Sequence, residues 1–191
     1  STRHGKTVWL DDVLSQATAK TLEIINEKNP DMENKEEVAQ QMGIGAVVFS
    51  TLSTSRIKDV SFSWEEVLNF DGETGPYVQY THARACSLLR RAGVEQASFA
   101  SDITDDKEYK VARMLYDFPE KIRVAMEANE PSVITRYVID LAQEFNRFYH
   151  ECPILSAPEG VKQTRLAITA AVRKELEKGL WLIGVAAPEQ V

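Results

Sequence analysis

With 191 residues, 43% of them hydrophobic and 27% charged, the chain is long enough to bury a real core as one large or two small domains. A net charge of −7 argues against a nonspecific DNA coater, and the longest apolar runs, such as 45–49, are far too short to cross a bilayer. Two cysteines, Cys86 and Cys152, form neither a disulfide framework nor a metal set, so a reducing cytoplasm is the expected setting.

The first seven residues, Ser1 to Thr7, are polar and flexible and carry Arg3, His4 and Lys6. Lysine and arginine in such a loop suit phosphate contacts. Asp11 or Asp12 is expected to cap a helix running to about Asn29-Pro30, with Leu14, Ala17, Thr21, Leu22 and Ile25 inward. A second helix is predicted from near Asn34, with Val38, Met42, Val48, Phe49 and Leu52. Gly43 and Gly45 weaken it by about 1 kcal/mol each unless close packing needs them. The alternating stretch 56–62 reads as a short extended piece, and Ser63 as the cap of a short helix.

The run Gly72 to Arg84 (GETGPYVQYTHAR) reads as a tight turn feeding a helix over roughly 75–93. Thr74 or Gly75 can cap it, and Pro76 forfeits no hydrogen bond in its first turn. Tyr77 and Arg84 stand seven residues apart and share a face with Thr81, expected to be exposed; Val78, Ala85 and Leu89 mark the core side. An aromatic ring and a guanidinium on one face suit an RNA loop, because rings stack on bases and arginine binds phosphate or a base edge.

A helical pair broken near Phe118-Pro119 is predicted next. Pro131 then opens a long helix with Ile134, Tyr137, Val138, Leu141, Phe145, Phe148 and Cys152 inward, which leaves Tyr149 for the surface. Residues 157–160 read as a loop. The last helix runs from about Val161 to Leu182, with Leu176, Leu180 and Ile183 inward, Gly184 as its stop and Trp181 in core or domain packing. His82 reads as a structural hydrogen-bonder, and His150 with Cys152 has no further ligands at metal spacing. Charge is uneven: residues 1–74 hold seven basic and thirteen acidic side chains, while 75–95 and 161–191 each carry a net +2.

The expected architecture is all-α, a helical bundle preceded by a smaller helical region, with the boundary near 71–76. Here a resemblance becomes specific. The block from Gly72 to Arg84 resembles the signature of the arginyl-tRNA synthetases, class I aminoacyl-tRNA synthetases. STRHGKTVWLDDVL at the start resembles the tail of that family's KMSKS-type loop. Phe145–Leu155 and Arg165–Val191 resemble its DALR-type anticodon-binding domain.

The resemblance implies a C-terminal fragment of a longer enzyme, with the nucleotide-binding fold upstream of Ser1. Residues 1–74 would be the loop tail and a helical stem-contact and linker region that rests on the catalytic side and so exposes apolar surface. Residues 75–191 would be the DALR-type anticodon-binding domain. Tyr77, Arg84 and Tyr149 match positions that touch the tRNA anticodon stem-loop, and Ser1, Thr2, Arg3 and Lys6 are the remnant of the ATP-side loop. The segment Ala186–Val191 resembles a terminus that folds back near the anticodon loop.

The intact enzyme would use ATP and magnesium to attach L-arginine to arginine tRNA. This chain alone would bind no cofactor or metal, catalyse nothing, stay off membranes and be a cytoplasmic monomer. The competing reading is a helical protein-interaction module without nucleic-acid function, favoured if no positive patch forms around Arg84, Arg90, Lys162 and Arg165.

Overall fold

Seven helices and their connecting loops make up the residues described here, 8–94 and 97–191 of a computed structural model. Among them there is no strand, and no helix is long and apolar enough to cross a membrane. Helix α1 (Leu10–Lys28) packs against α2 (Lys35–Ser53), burying Ala17, Thr21 and Ile25. Trp9 takes the cap position of α1. Asp11 and Asp12 therefore fall in its first turn, where their charges complement the positive end of the helix instead of capping it.

Both glycines of α2 are explained by close approach. A Cβ on Gly43 would lie 2.7 Å from the Ala17 carbonyl carbon and the Thr18 nitrogen, and one on Gly45 would lie 2.8 Å from Gln79 Nε2. The stretch 56–62 is not a strand. All seven of its residues are exposed, so its alternation has no buried face to serve. Ser63 precedes the short helix α3 (Trp64–Val67) but makes no side-chain cap bond. Apolar surface is exposed in this half at Val8, Trp9, Leu10, Ile57, Val60 and Phe62, as expected.

Helices α4 (Gly75–Ala92), α5 (Asp106–Ala128), α6 (Ser132–Glu151) and α7 (Glu159–Leu182) form the bundle. Its core holds Leu141, Phe145 and Phe148 of α6 with Leu166, Ile168, Leu176 and Leu180 of α7, all withdrawn from solvent. Each such side chain contributes roughly 1.5–3 kcal/mol by leaving water. Phe49 of α2 joins the same core, so α2 packs on both α1 and the bundle.

Three boundaries differ from the sequence reading. Helix α5 runs through Pro119 without a break. Proline removes only one backbone bond, and α5 is held along its length by α6 and α7, with Phe118 stacked 5.0 Å from Tyr137. Helix α7 begins at Glu159, two residues early, and Cys152 is the C-cap of α6 rather than part of it. Trp181 is not core: it is 65% exposed, beside the buried Leu180, with Lys178 Nζ 3.9 Å from its ring centre.

Candidate nucleic-acid interface

The start of α4 is built as its residues dictate. Thr74 takes the N-cap position and its Oγ1 accepts from the Tyr77 backbone N–H at 3.3 Å, while Pro76 occupies the first turn. Tyr77, Thr81 and Arg84 do share a face. That face is not free, because α6 lies against it. Asn146 of α6 donates from Nδ2 to Tyr77 Oη at 2.9 Å and to Thr81 Oγ1 at 3.0 Å, and its Oδ1 accepts from Arg84 Nη1 at 2.5 Å. One amide thus ties all three residues to α6. Thr81 is fully buried and Tyr77 half-buried, which corrects the expectation of an exposed Tyr77–Arg84 face. Spacing fixes which residues are co-facial; it does not say what covers them.

The guanidinium of Arg84 emerges between two tyrosines. Its central carbon lies 5.0 Å from the Tyr80 ring centre and 5.3 Å from that of Tyr149. Each contact is worth roughly 0.5–1 kcal/mol at an exposed site. Tyr149 falls outside the buried stripe of α6, but it is half-buried and packs against Phe145, which is core, rather than standing free on the surface as expected. Tyr80 is 40% exposed. Its spacing of four from Arg84 puts both on adjoining turns, whereas the sequence motif points to Tyr77.

These groups open onto a concavity of about 370 Å³ that also takes in Ser87, Arg90, Arg91 and the segment Gln190–Val191. That segment folds back across α4. Gln79 Nε2 donates to the Ala186 carbonyl at 2.8 Å, and His82 Nδ1 to that of Pro188 at 2.9 Å. Burial, opposed by the Pro188 bond, holds the His82 ring below its ordinary pKa, so it works as a neutral anchor. Val191 ends against the small cluster of Ile25, Ala39 and Met42.

The cations sort differently from their order in sequence. Arg165 is spent on Glu108, Nε to Oε1 at 2.6 Å in a nearly buried pair, and Lys162 lies 3.9 Å from Glu159. Helices α4 and α7 are neighbours, which brings the two basic segments side by side with Arg90, Arg173 and Lys174 around one cleft. Ser1, Thr2, Arg3, His4 and Lys6 lie outside the described residues. Among the described residues no cluster of three or more His, Cys, Asp or Glu side chains could hold a metal ion.

Comparison with known proteins bears on both halves. The family model "DALR anticodon binding domain" matches residues 78–191, and "tRNA synthetases class I (R), catalytic domain" matches residues 1–64. An arginine–tRNA ligase of Alkaliphilus metalliredigens is 52% identical over 191 residues, covering 99% of this chain and 34% of its own length. One from Clostridioides difficile is 50% identical, covering 100% of this chain and again 34% of itself. The chain therefore spans about a third of the length of these relatives. The solved arginyl-tRNA synthetase of Thermus thermophilus superposes with a TM-score of 0.92 at 41% identity, over 97% of this chain and 32% of that one.

Proposed function

From the premise that this chain belongs to the arginyl-tRNA synthetases through a DALR anticodon binding domain at residues 78–191, we propose that it grips the anticodon arm of arginine tRNA. The observation that carries this reading is the Arg84 guanidinium held between the Tyr80 and Tyr149 rings beside a concavity edged by Arg90 and Arg91. Rings and a guanidinium at one mouth offer stacking surfaces to unpaired bases, and the nearby arginines offer charge to phosphates. Tyr77, partly buried and bonded to Asn146, supports this site by fixing α4 on α6.

In the intact enzyme, ATP and magnesium would drive attachment of L-arginine to the tRNA in the cytoplasm. Ser1, Thr2, Arg3 and Lys6 are this chain's share of the ATP-side loop. The division at 74/75 between the stem-contact region and the anticodon-binding bundle is supported by Thr74 as the cap of α4. We take the chain to be a monomer and inactive alone.

The test is titration with arginine tRNA at low and moderate salt. Arg84→Ala and Tyr149→Ala are expected to weaken binding by roughly 5- to 100-fold each, the range of a lost base stack or phosphate contact. Unchanged affinity in both variants would sink the assignment. Inactivity of the chain is checked separately by arginine-dependent exchange of pyrophosphate into ATP, expected to be nil.

A further inference from the structure

A second cationic site lies around the corner of α4 from Arg84. Arg90, near the end of α4, and Arg173 and Lys174, midway along α7, line a cleft of about 640 Å³ whose apolar wall is Leu89 and Cys86. The three cations come from segments more than eighty residues apart and meet only because α4 packs on α7. Among the described residues neither Arg173 nor Lys174 forms an ion pair. The Nε–H of Arg173 is withdrawn from solvent and has no hydrogen-bond partner in the protein. Buried guanidinium donors are ordinarily satisfied, and Arg173 is one of three cations that line this cleft.

One carboxylate lines the cleft, that of Glu189 on the folded-back segment. It lies 3.8 Å from Arg90 Nη1, and both partners are well exposed, 45% and 69%. Such a pair holds weakly and gives way to a better anion. The segment does not depend on that carboxylate for its place. Gln79 and His82 hold Ala186 and Pro188, and Arg90 Nη2 also donates to the Glu189 backbone carbonyl at 3.2 Å. Arg90 edges both this cleft and the Tyr80–Arg84–Tyr149 concavity, so the two sites adjoin at one arginine.

We propose that the α4–α7 cleft binds a backbone phosphate of the RNA engaged at Arg84, and that Glu189 is its built-in competitor, seated on Arg90 until the phosphate displaces it. The proposal rests on the RNA-binding reading above. A phosphodiester carries one negative charge, as does the carboxylate it displaces, so the exchange at Arg90 is neutral in charge. The gain comes from Arg173 and Lys174, which Glu189 leaves without an ion pair. Two planar guanidinium groups and one ammonium match the oxygens of a single phosphate.

The signs of the expected effects are opposite, which makes the test sharp. Affinity for arginine tRNA is measured across a series of salt concentrations on the 191-residue chain. Lys174→Gln and Arg173→Gln should each weaken binding roughly 3- to 10-fold and flatten the slope of log affinity against log salt by about 1. Glu189→Gln should tighten binding roughly 2- to 5-fold. Lys174 and Glu189 are exposed, so their variants fold even if Arg173→Gln does not. If Arg84→Ala weakens binding while Lys174→Gln and Glu189→Gln leave affinity and slope unmoved, the cleft is refuted and the Arg84 site stands. If the unaltered chain fails to bind the RNA, both are refuted.

Discussion

Glu175 of α7 should carry a proton in the folded protein at pH values where an ordinary glutamate has lost it. Tyr137 Oη lies 2.6 Å from Glu175 Oε2 and 3.0 Å from the Met114 carbonyl. A phenol has one proton for these two acceptors. If Glu175 is protonated it donates to Tyr137, which donates to Met114, and every group is satisfied. Burial pushes Glu175 up to about 7 against the opposing Tyr137 bond, and burial likewise raises Tyr137, which also feels Asp117. From an ordinary value of 4.5, a rise to about 7 corresponds to roughly 3 kcal/mol; solvent reaching the partly exposed carboxyl cuts this to about 1–2 kcal/mol.

The folded pKa lies above the unfolded one. The stabilisation is therefore complete below pH 4.5 and is lost as pH rises through 7. His82 titrates in an overlapping window with the opposite sign, because its depressed folded pKa costs stability as pH falls below 6.5. The comparison of wild type with Glu175→Gln cancels that contribution. Glutamine donates to Tyr137 at every pH, so the variant should gain about 1–2 kcal/mol on wild type between about pH 5 and 8, read by urea unfolding. Parallel stability profiles for the two proteins across that range would refute the protonated carboxyl.

Arg165→Ala should destabilise the bundle by about 3–5 kcal/mol in urea, because it strands the nearly buried Glu108 carboxylate without its partner. Gly43→Ala should cost about 1–3 kcal/mol in thermal or urea unfolding, since the atoms it meets are backbone atoms of α1 that cannot swing aside. Asn146→Ala leaves Tyr77, Thr81 and Arg84 without their shared partner; a loss of about 1–3 kcal/mol in urea, with a weaker grip on arginine tRNA, is expected.

What the sequence discloses here is what depends on near neighbours. Thr74 and Pro76 announce the start of α4 because a cap and a first-turn proline act within four residues. The stripe from Ile134 to Phe148 announces the buried face of α6, and Tyr149 falls outside it for the same reason. Three things resisted reading because they turn on a second element. Tyr77 and Thr81 face α6, which no spacing within α4 reveals. Arg165 resembled a free cation until Glu108, fifty-seven residues away, took it. Trp181 reads as core or domain packing from its own helix, whereas the helical turn puts Leu180 in the core and leaves Trp181 exposed. Tyr80 was within reach: its position one turn from Arg84 was visible, but nothing local distinguished a ring beside a guanidinium from one in a core.

The folded-back segment has a consequence for how the molecule is made. His82 waits for Pro188, 106 residues later, and Gln79 for Ala186, 107 residues later. At a synthesis rate of about 5–20 residues per second, roughly 5–20 s separate the two halves of each bond. During that interval α4 has no segment across it, and the concavity beside Arg84 lacks the wall that Gln190 and Val191 supply. The surface thus becomes whole only once Gln190 and Val191 have been made. A chain cut short before Ala186 would carry Tyr80, Arg84 and Tyr149 and still present an unfinished site.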